Sequence, residues 1–292
     1  MTPSLFRVAE VPAEGGVVVL DGAEGRHAGN ALRVRPGESI RVGDGRGVVA
    51  DCVVTTTSPG VVEAEVVTRT DVPRPVPEVT VVQALPKSER SELAVELATE
   101  AGADRIIPWQ SERCVSRWSG PKVAKGLTKW ANAARAAAKQ SRRAHEPEIG
   151  ELVDSAALAR YVSEQVAAGA RVLILHEEGA VPFAEAVTGT AVSATAQPAT
   201  AVSDAAESAT AVTAGPDGPP RHIVVVVGPE GGVSDTEVDS LTDAGARAVV
   251  LGPEVLRTST AAAVALAALG VLTPRWSDPG TTLVPTEPHT GK

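Results

Sequence analysis

The chain has 292 residues, 43% of them hydrophobic and 22% charged, which fits a soluble globular protein of one or two domains and excludes disorder throughout. Its longest apolar runs, such as Ile223 to Val227 and Ala261 to Leu269, fall short of the roughly 18 residues of a membrane span. The opening MTPSLFRVAEVP has no charged-then-apolar leader, so a cytoplasmic protein with no membrane partner is expected. Cys52 and Cys114 stand far apart without a CxxC pair and the five histidines are scattered, so neither a disulfide framework nor a metal site is indicated. A net charge of -9 argues against coating nucleic acid through bulk charge, although a bulk figure can hide a local basic patch.

From Phe6 to Thr70, β-prone runs at Gly16 to Leu20, Ser39 to Val42, Gly47 to Thr55 and Val61 to Val67 alternate with Gly- and Asp-rich turns. This pattern predicts a small β-barrel over residues 1–72. One helical interruption, Arg26 to Val34, carries His27, Ala28, Ala31 and Leu32 at helix-like spacing and stops at Pro36-Gly37. The octet DVPRPVPE, Asp71 to Glu78, then supplies a stiff connector, with a Pro-rich linker at 73–78.

Beyond the connector, apolar runs alternate with helical segments: strand Val79 to Leu85, helix Ser88 to Ala101, a stop at Gly102, and strand Arg105 to Trp109. The alternation predicts an α/β domain with a parallel sheet over 79–276. An Ala-rich helix covers about Lys122 to Ala144, and further strands are expected at Arg171 to Leu175, His222 to Val227 and Ala248 to Leu251. The last two are almost wholly β-branched and apolar, as central strands buried on both faces are. Ser234-Asp-Thr-Glu237 is a capping box, and Ala261 to Leu272 forms the closing helix. The Ala/Thr/Val/Ser tract from Pro182 to Pro220 is too simple in composition to specify a core. It reads as a disordered insertion at about 184–220, and the tail 277–292 reads likewise.

The stretch Arg113 to Arg143 contains no Asp or Glu. Lys122, Lys125 and Lys129, then Arg135, Lys139, Arg142 and Arg143, fall at three- or four-residue steps, lining helix faces suited to a phosphate backbone. Nucleic acid is the natural partner, and a solvated helix face is the plain alternative. Trp130, at helical spacing with Ala133, Ala134 and Ala137, reads as core packing. A weaker cluster in the barrel, Arg26, His27, Arg33, Arg35, Arg41 and Arg46, suits RNA held by shape and backbone contact, or ordinary surface arginine.

The loop Gly228-Pro-Glu-Gly-Gly232 follows a buried strand and precedes a capped helix, so it lies at the carboxyl edge of the sheet, where open α/β folds bind ligands. It is neither a Walker loop nor a GxGxxG fingerprint, and a structural turn is the alternative. Leu251-Gly-Pro253 again follows a buried strand, and Leu256-Arg-Thr-Ser-Thr260 opens the final helix, so two glycine loops converge at adjacent strand ends.

These two blocks, VVGPEGGVSDTEV (Val226 to Val238) and LGPEVLRTSTA (Leu251 to Ala261), closely resemble the signatures of the RsmE family, which methylates N3 of a uridine in bacterial small-subunit (16S) ribosomal RNA. HAGNALRVRPGE (His27 to Glu38), the segment Gln83 to Gly102, SERCV (Ser111 to Val115) and AAKQSRR (Ala137 to Arg143) extend the resemblance over both domains. It implies a PUA-like barrel followed by a SPOUT α/β domain with a C-terminal trefoil knot, a homodimer, and S-adenosylmethionine bent into the knotted loops. Carried over by position, the cofactor pocket maps to Leu175, His176, Gly228, Pro229, Glu230, Gly231, Gly232, Leu251, Gly252, Leu256, Arg257, Thr258 and Ala261. Ser259 stands where an acidic residue is common in the family.

A uridine N3 carries a proton and is a poor nucleophile until that proton leaves or the charge on the base oxygens is stabilised. Arg257 is the expected charge stabiliser and Arg142 or Arg143 the group that orients phosphate or base, while Glu230 is either a base or a carboxylate that holds the loop. The expected RNA contacts are Arg26, Arg33, Arg113, Lys122, Lys125, Lys129, Arg135, Lys139, Arg142 and Arg143 on ribosomal RNA or the small subunit. A non-catalytic dimeric RNA-binding protein is the main competing reading. An enzyme acting on a small nucleotide is weaker, because no phosphate-loop motif is present.

Overall fold

A computed structural model describes residues 4–87, 90–189 and 220–277. The barrel strands are β1 (Leu5–Arg7), β2 (Val17–Leu20), β3 (Ser39–Gly43), β4 (Val48–Ser58) and β5 (Val61–Asp71), in the sheet order β1-β3-β4-β5-β2. Strand alternation sends one set of side chains inward, so Phe6, Val18, Leu20, Ile40, Val42, Cys52, Val54 and Val62 share one core. The expected helix starts earlier than its pattern indicates, as α1 (Gly22–Arg26), and widens into a π-turn over His27–Leu32. Arg33, in the left-handed region at φ 56°, ends it.

The second sheet has eight strands: β6 (Glu78–Ala84), β7 (Arg105–Gln110), β8 (Glu148–Ile149), β9 (Val153–Asp154), β10 (Arg171–Leu175), β11 (Val181–Pro182), β12 (His222–Val227) and β13 (Arg247–Val250). All pairings are parallel, in the order β11-β13-β10-β12-β6-β7-β8, with β9 also on β7. The helices are α2 (Ser91–Glu100), α3 (Pro121–Gln140), α4 (Ser155–Ala167), α5 (Phe183–Thr188), α6 (Asp235–Asp243) and α7 (Thr258–Leu272).

Strand order explains the layers. The chain steps one way along the sheet through α2, α3 and α5, and the opposite way through α4 and α6. Right-handed crossovers therefore put the first group on one face and the second on the other. The packing agrees: α2 lies against α3 and α7, α5 against α7, and α4 against α6. The return of α7 from β13 to β12, β6 and α2 is consistent with the expected SPOUT trefoil knot. In the central strand β12, Ile223, Val224, Val225 and Val226 are all fully buried.

Two expectations are corrected. The tract expected to lack structure from residue 184 begins with α5, because Phe183, Ala186 and Val187 fall on one helix face and bury against the sheet. Residues 190–219 of that tract, and 278–292 of the tail, lie outside the described residues. The basic helix also ends at Gln140 rather than Ala144, and its last part docks the barrel instead of facing solvent.

There, Arg143 is not available to RNA. Its guanidinium donates to Thr99 O at 2.8 Å and to Asp104 Oδ1 at 3.2 Å, and its own carbonyl accepts from Arg7 Nη2 at 2.9 Å. Burial pushes the Arg143 guanidinium down to about 10, so it remains a cation at neutral pH. Asp104 Oδ2 accepts from Arg275 Nη1 at 2.8 Å, which joins the far end of α7 to the same carboxylate. Lys139 is likewise committed, with Nζ 2.6 and 2.7 Å from the Glu24 oxygens of α1. Helical spacing identifies the face of α3, but the acids it meets lie far away in sequence.

Asp104 is fully buried between two guanidiniums. Asp104→Asn, which leaves both cations without their carboxylate, is expected to lower the unfolding free energy by about 3 kcal/mol, read from urea melts. Arg143→Lys should also lower the unfolding free energy, since one ammonium cannot match the geometry by which the fork reaches both Thr99 and Asp104.

Candidate cofactor site

Leu175, the last residue of β10, stands opposite Val227 of β12 and Val249 of β13, so the three strands end level. Their loops, 176–180, 228–233 and 251–257, enclose a cleft of about 540 Å³ at the carboxyl edge. Leu175, His176, Gly228, Pro229, Glu230, Gly231, Gly232, Leu251, Gly252, Leu256, Thr258 and Ala261 all line it. Arg257 is the exception: it is the exposed N-cap of α7, and its carbonyl accepts from the N–H groups of Thr260 and Ala261 at 2.9 and 3.0 Å.

Each loop is held by its own local chemistry. The His176 N–H donates to Val249 O at 3.0 Å, and His176 Nδ1 accepts from the Glu178 N–H at 3.2 Å. Gly232, at φ 74°, closes a turn by donating to Pro229 O at 2.9 Å, a conformation that favours glycine. The capping box is complete: Ser234 Oγ accepts from the Glu237 N–H at 3.2 Å, and Glu237 Oε2 accepts from the Ser234 N–H at 3.1 Å.

Glu237 does more than cap. It is 2% exposed, and its Oε1 accepts from the Glu112 N–H at 2.8 Å and from the Ser155 hydroxyl. One carboxylate thus fixes the loop after β12 to the loop after β7 and to the start of α4. Sequence spacing reveals the cap alone, because Glu112 and Ser155 are remote in the chain.

Arg113, expected among the RNA contacts, lines the cleft, with Nη1 3.4 Å from the carbonyl oxygens of both Gly231 and Val233. Glu230 is exposed and its Oε1 accepts from the Lys87 N–H at 3.1 Å, joining the loops after β6 and β12. Ser259 is 1% exposed within α7 and is not among the residues that line the cleft. Among the described residues no group of three or more His, Cys, Asp and Glu side chains could hold a metal.

The remaining basic residues divide between two places. Lys122, Lys125 and Lys129 are exposed on the first half of α3, at the cleft edge of the sheet, and Lys129 pairs with Glu92 at 3.3 Å. Arg26, Arg33 and Arg142 are exposed at the barrel end, where Arg135 also pairs with Glu146 at 3.6 Å. The structure therefore does not bring the barrel arginines and the cleft of one chain together. No helix among the described residues is long and apolar enough to cross a membrane.

A Cβ on Gly179 would lie 2.4 Å from the Val249 carbonyl carbon and 2.6 Å from the Val250 nitrogen, both backbone atoms of β13. Gly179→Ala is expected to push loop 176–180 from the sheet and to cost roughly 1–3 kcal/mol in chemical denaturation. Gly169→Ala, whose added Cβ would meet no atom within 4 Å although φ is 85°, separates crowding from backbone strain.

The chain matches the family described as RNA methyltransferase domain over residues 72–270, and that described as RNA methyltransferase PUA domain over 20–67. It is 49% identical over 276 residues to Ribosomal RNA small subunit methyltransferase E of Mycobacterium bovis, covering 94% of each chain. The Bacillus subtilis protein of that name is 28% identical over 255 residues, covering 87% of this chain and 90% of that one. The crystal structure of the Neisseria gonorrhoeae enzyme of that name, bound to S-adenosyl methionine, matches with a TM-score of 0.71 and 28% identity, over 93% of this chain and 98% of that one. The family matches span most of the chain and the similarity runs along nearly its whole length, and the chain belongs to the ribosomal RNA small subunit methyltransferase E (RsmE) family.

Proposed function

We propose that the protein transfers a methyl group from S-adenosylmethionine to N3 of a uridine in 16S ribosomal RNA, on the assembled or assembling small subunit in the cytoplasm. The observation that carries this reading is the cleft made by three level loops whose residues match the family signatures. Its volume of about 540 Å³ suits a ligand of nucleoside size. The residues present fit the group: Gly228, Gly231, Gly232 and Gly252 place main chain at the cleft with no side chain in front of it, and Leu175, Leu251 and Leu256 offer apolar contact to an adenine ring.

When bound, S-adenosylmethionine supplies an electrophilic methyl on a positively charged sulfur. The chain's part is to hold the base in line and to stabilise the negative charge that develops on its oxygens as N3 gives up its proton to water. Arg257 is assigned that charge-stabilising role, since its exposed side chain adjoins Leu256 and Thr258 of the cleft. Glu230, already accepting the Lys87 N–H, is assigned to holding the loop rather than to removing the proton. The RNA contacts are assigned to Arg26, Arg33, Arg113, Lys122, Lys125, Lys129, Arg135 and Arg142.

A homodimer belongs to the same proposal. Helix α7 is apolar on every side, as a helix buried all round is, yet Val264 is 42% and Val271 74% exposed on one chain. Val255, in the loop leading to that helix, is 80% exposed. A second copy packed on this face would cover all three beside the cleft.

Purified protein with labelled S-adenosylmethionine and small subunits lacking uridine N3 methylation is expected to yield 3-methyluridine by nucleoside mass spectrometry. Cofactor binding without transfer would remove the substrate assignment, and absence of both would favour the non-catalytic RNA-binding reading. Arg257→Ala should slow transfer by about 100-fold. The same variant should hold its unfolding free energy within about 0.5 kcal/mol, whereas losses in parallel would make Arg257 structural.

A further inference from the structure

The carboxyl edge of the parallel sheet is divided by charge along the line between β12 and β6. On one side, Glu177, Glu178, Glu230, Asp235 and Glu254 line the cleft, and Arg113 is the one Lys or Arg among the described lining residues. On the other, the loops after β6 and β7 and the first turns of α3 carry Lys87, Arg90, Arg117, Lys122 and Lys125, against one carboxylate among their described residues, Glu112, which accepts from the Ser234 hydroxyl at 2.8 Å. Lys87, Arg117, Lys122 and Lys125 are exposed, and no ion pair joins any of the five to a carboxylate among the described residues. The two halves meet where Glu230 accepts the Lys87 N–H and Arg113 reaches the Gly231 carbonyl.

A surface divided in this way draws a polyanion to one half and repels it from the other. The end of α3 and the turn beyond it offer less, since Lys139 and Arg143 are spent on Glu24 and Asp104. We propose that the substrate RNA strand lies across the β6–β7 half of the edge, its phosphates on Lys87, Arg117, Lys122 and Lys125, and that only the target base passes Arg113 into the acidic half. The carboxylates keep phosphate out of the cleft, while the cationic cofactor is welcome there. This path rests on the methyltransferase reading and adds Lys87 and Arg117, which lie outside the basic face of α3, to the substrate surface.

The test is binding of a fluorescent single-stranded ribosomal RNA fragment to the intact protein as salt is varied. Lys87→Gln with Arg117→Gln should weaken binding about tenfold near 100 mM salt and flatten the log–log salt dependence by about 1.4, the loss of two phosphate contacts on a single strand. Cofactor affinity by calorimetry should not change, which excludes misfolding as the cause. Glu177→Gln with Glu178→Gln should raise RNA affinity and make RNA weaken cofactor binding. Unchanged affinity and salt dependence in the Lys87/Arg117 variant, with methyl transfer intact, would overturn the path and leave the methyltransferase reading standing. Loss of methyl transfer by the wild-type protein would remove that reading instead. Polyglutamate binding as tightly as RNA would overturn the path in favour of an acidic protein partner.

Discussion

Parallel pairing of β13, β10 and β12 fixes where this chain can do chemistry. Strands that run the same way and end level release their loops at one edge, and helices on both faces leave those loops no other course. The centre of the sheet is buried on both sides, so its residues cannot be displaced toward solvent without exposing an apolar strand. The loops need only be shaped locally after that. Gly232 closes a tight turn, Gly179 admits the backbone of β13, and Glu237 holds the turn of one loop against a neighbouring loop and helix.

A second constraint is the length of α3. Its 20 residues run about 30 Å, from the cleft edge of the sheet to the opposite edge, where the barrel docks. Asp104 marks that far end, gathering Arg143 from just beyond the helix and Arg275 from just beyond α7. An RNA that touches Arg26 on the barrel and enters the cleft of the same chain must therefore span a comparable distance. The docking contacts, Lys139 on Glu24 and Arg7 on Glu146, tie the barrel to the sheet domain.

The legible parts of the sequence are those whose cause is local. Apolar runs locate the central strands, Ser234 and Glu237 locate the start of α6, and the two glycine blocks locate nearly the whole cleft lining. What the sequence hides depends on partners distant in the chain. Arg143 and Lys139 share the spacing of Lys122 and Lys125, and only the fold reveals that the first two meet Asp104 and Glu24. Helix α5 is masked by the monotony of the tract it opens, although Phe183 with Ala186 and Val187 carries a helical signal. Helix α4 buries only Leu158 and Val162, too sparse a stripe to stand out. Arg113 is recognisable as basic, but its place beside Gly231 follows from β7 and β12 flanking β6.

That the three loops after β10, β12 and β13 form the cofactor pocket is tested most directly by a crystal structure of the protein with S-adenosylmethionine. The adenine is expected between residues 228–232 and 251–256, held by main-chain groups. Cofactor bound in the barrel or elsewhere on the sheet, with the three loops empty, would contradict this assignment.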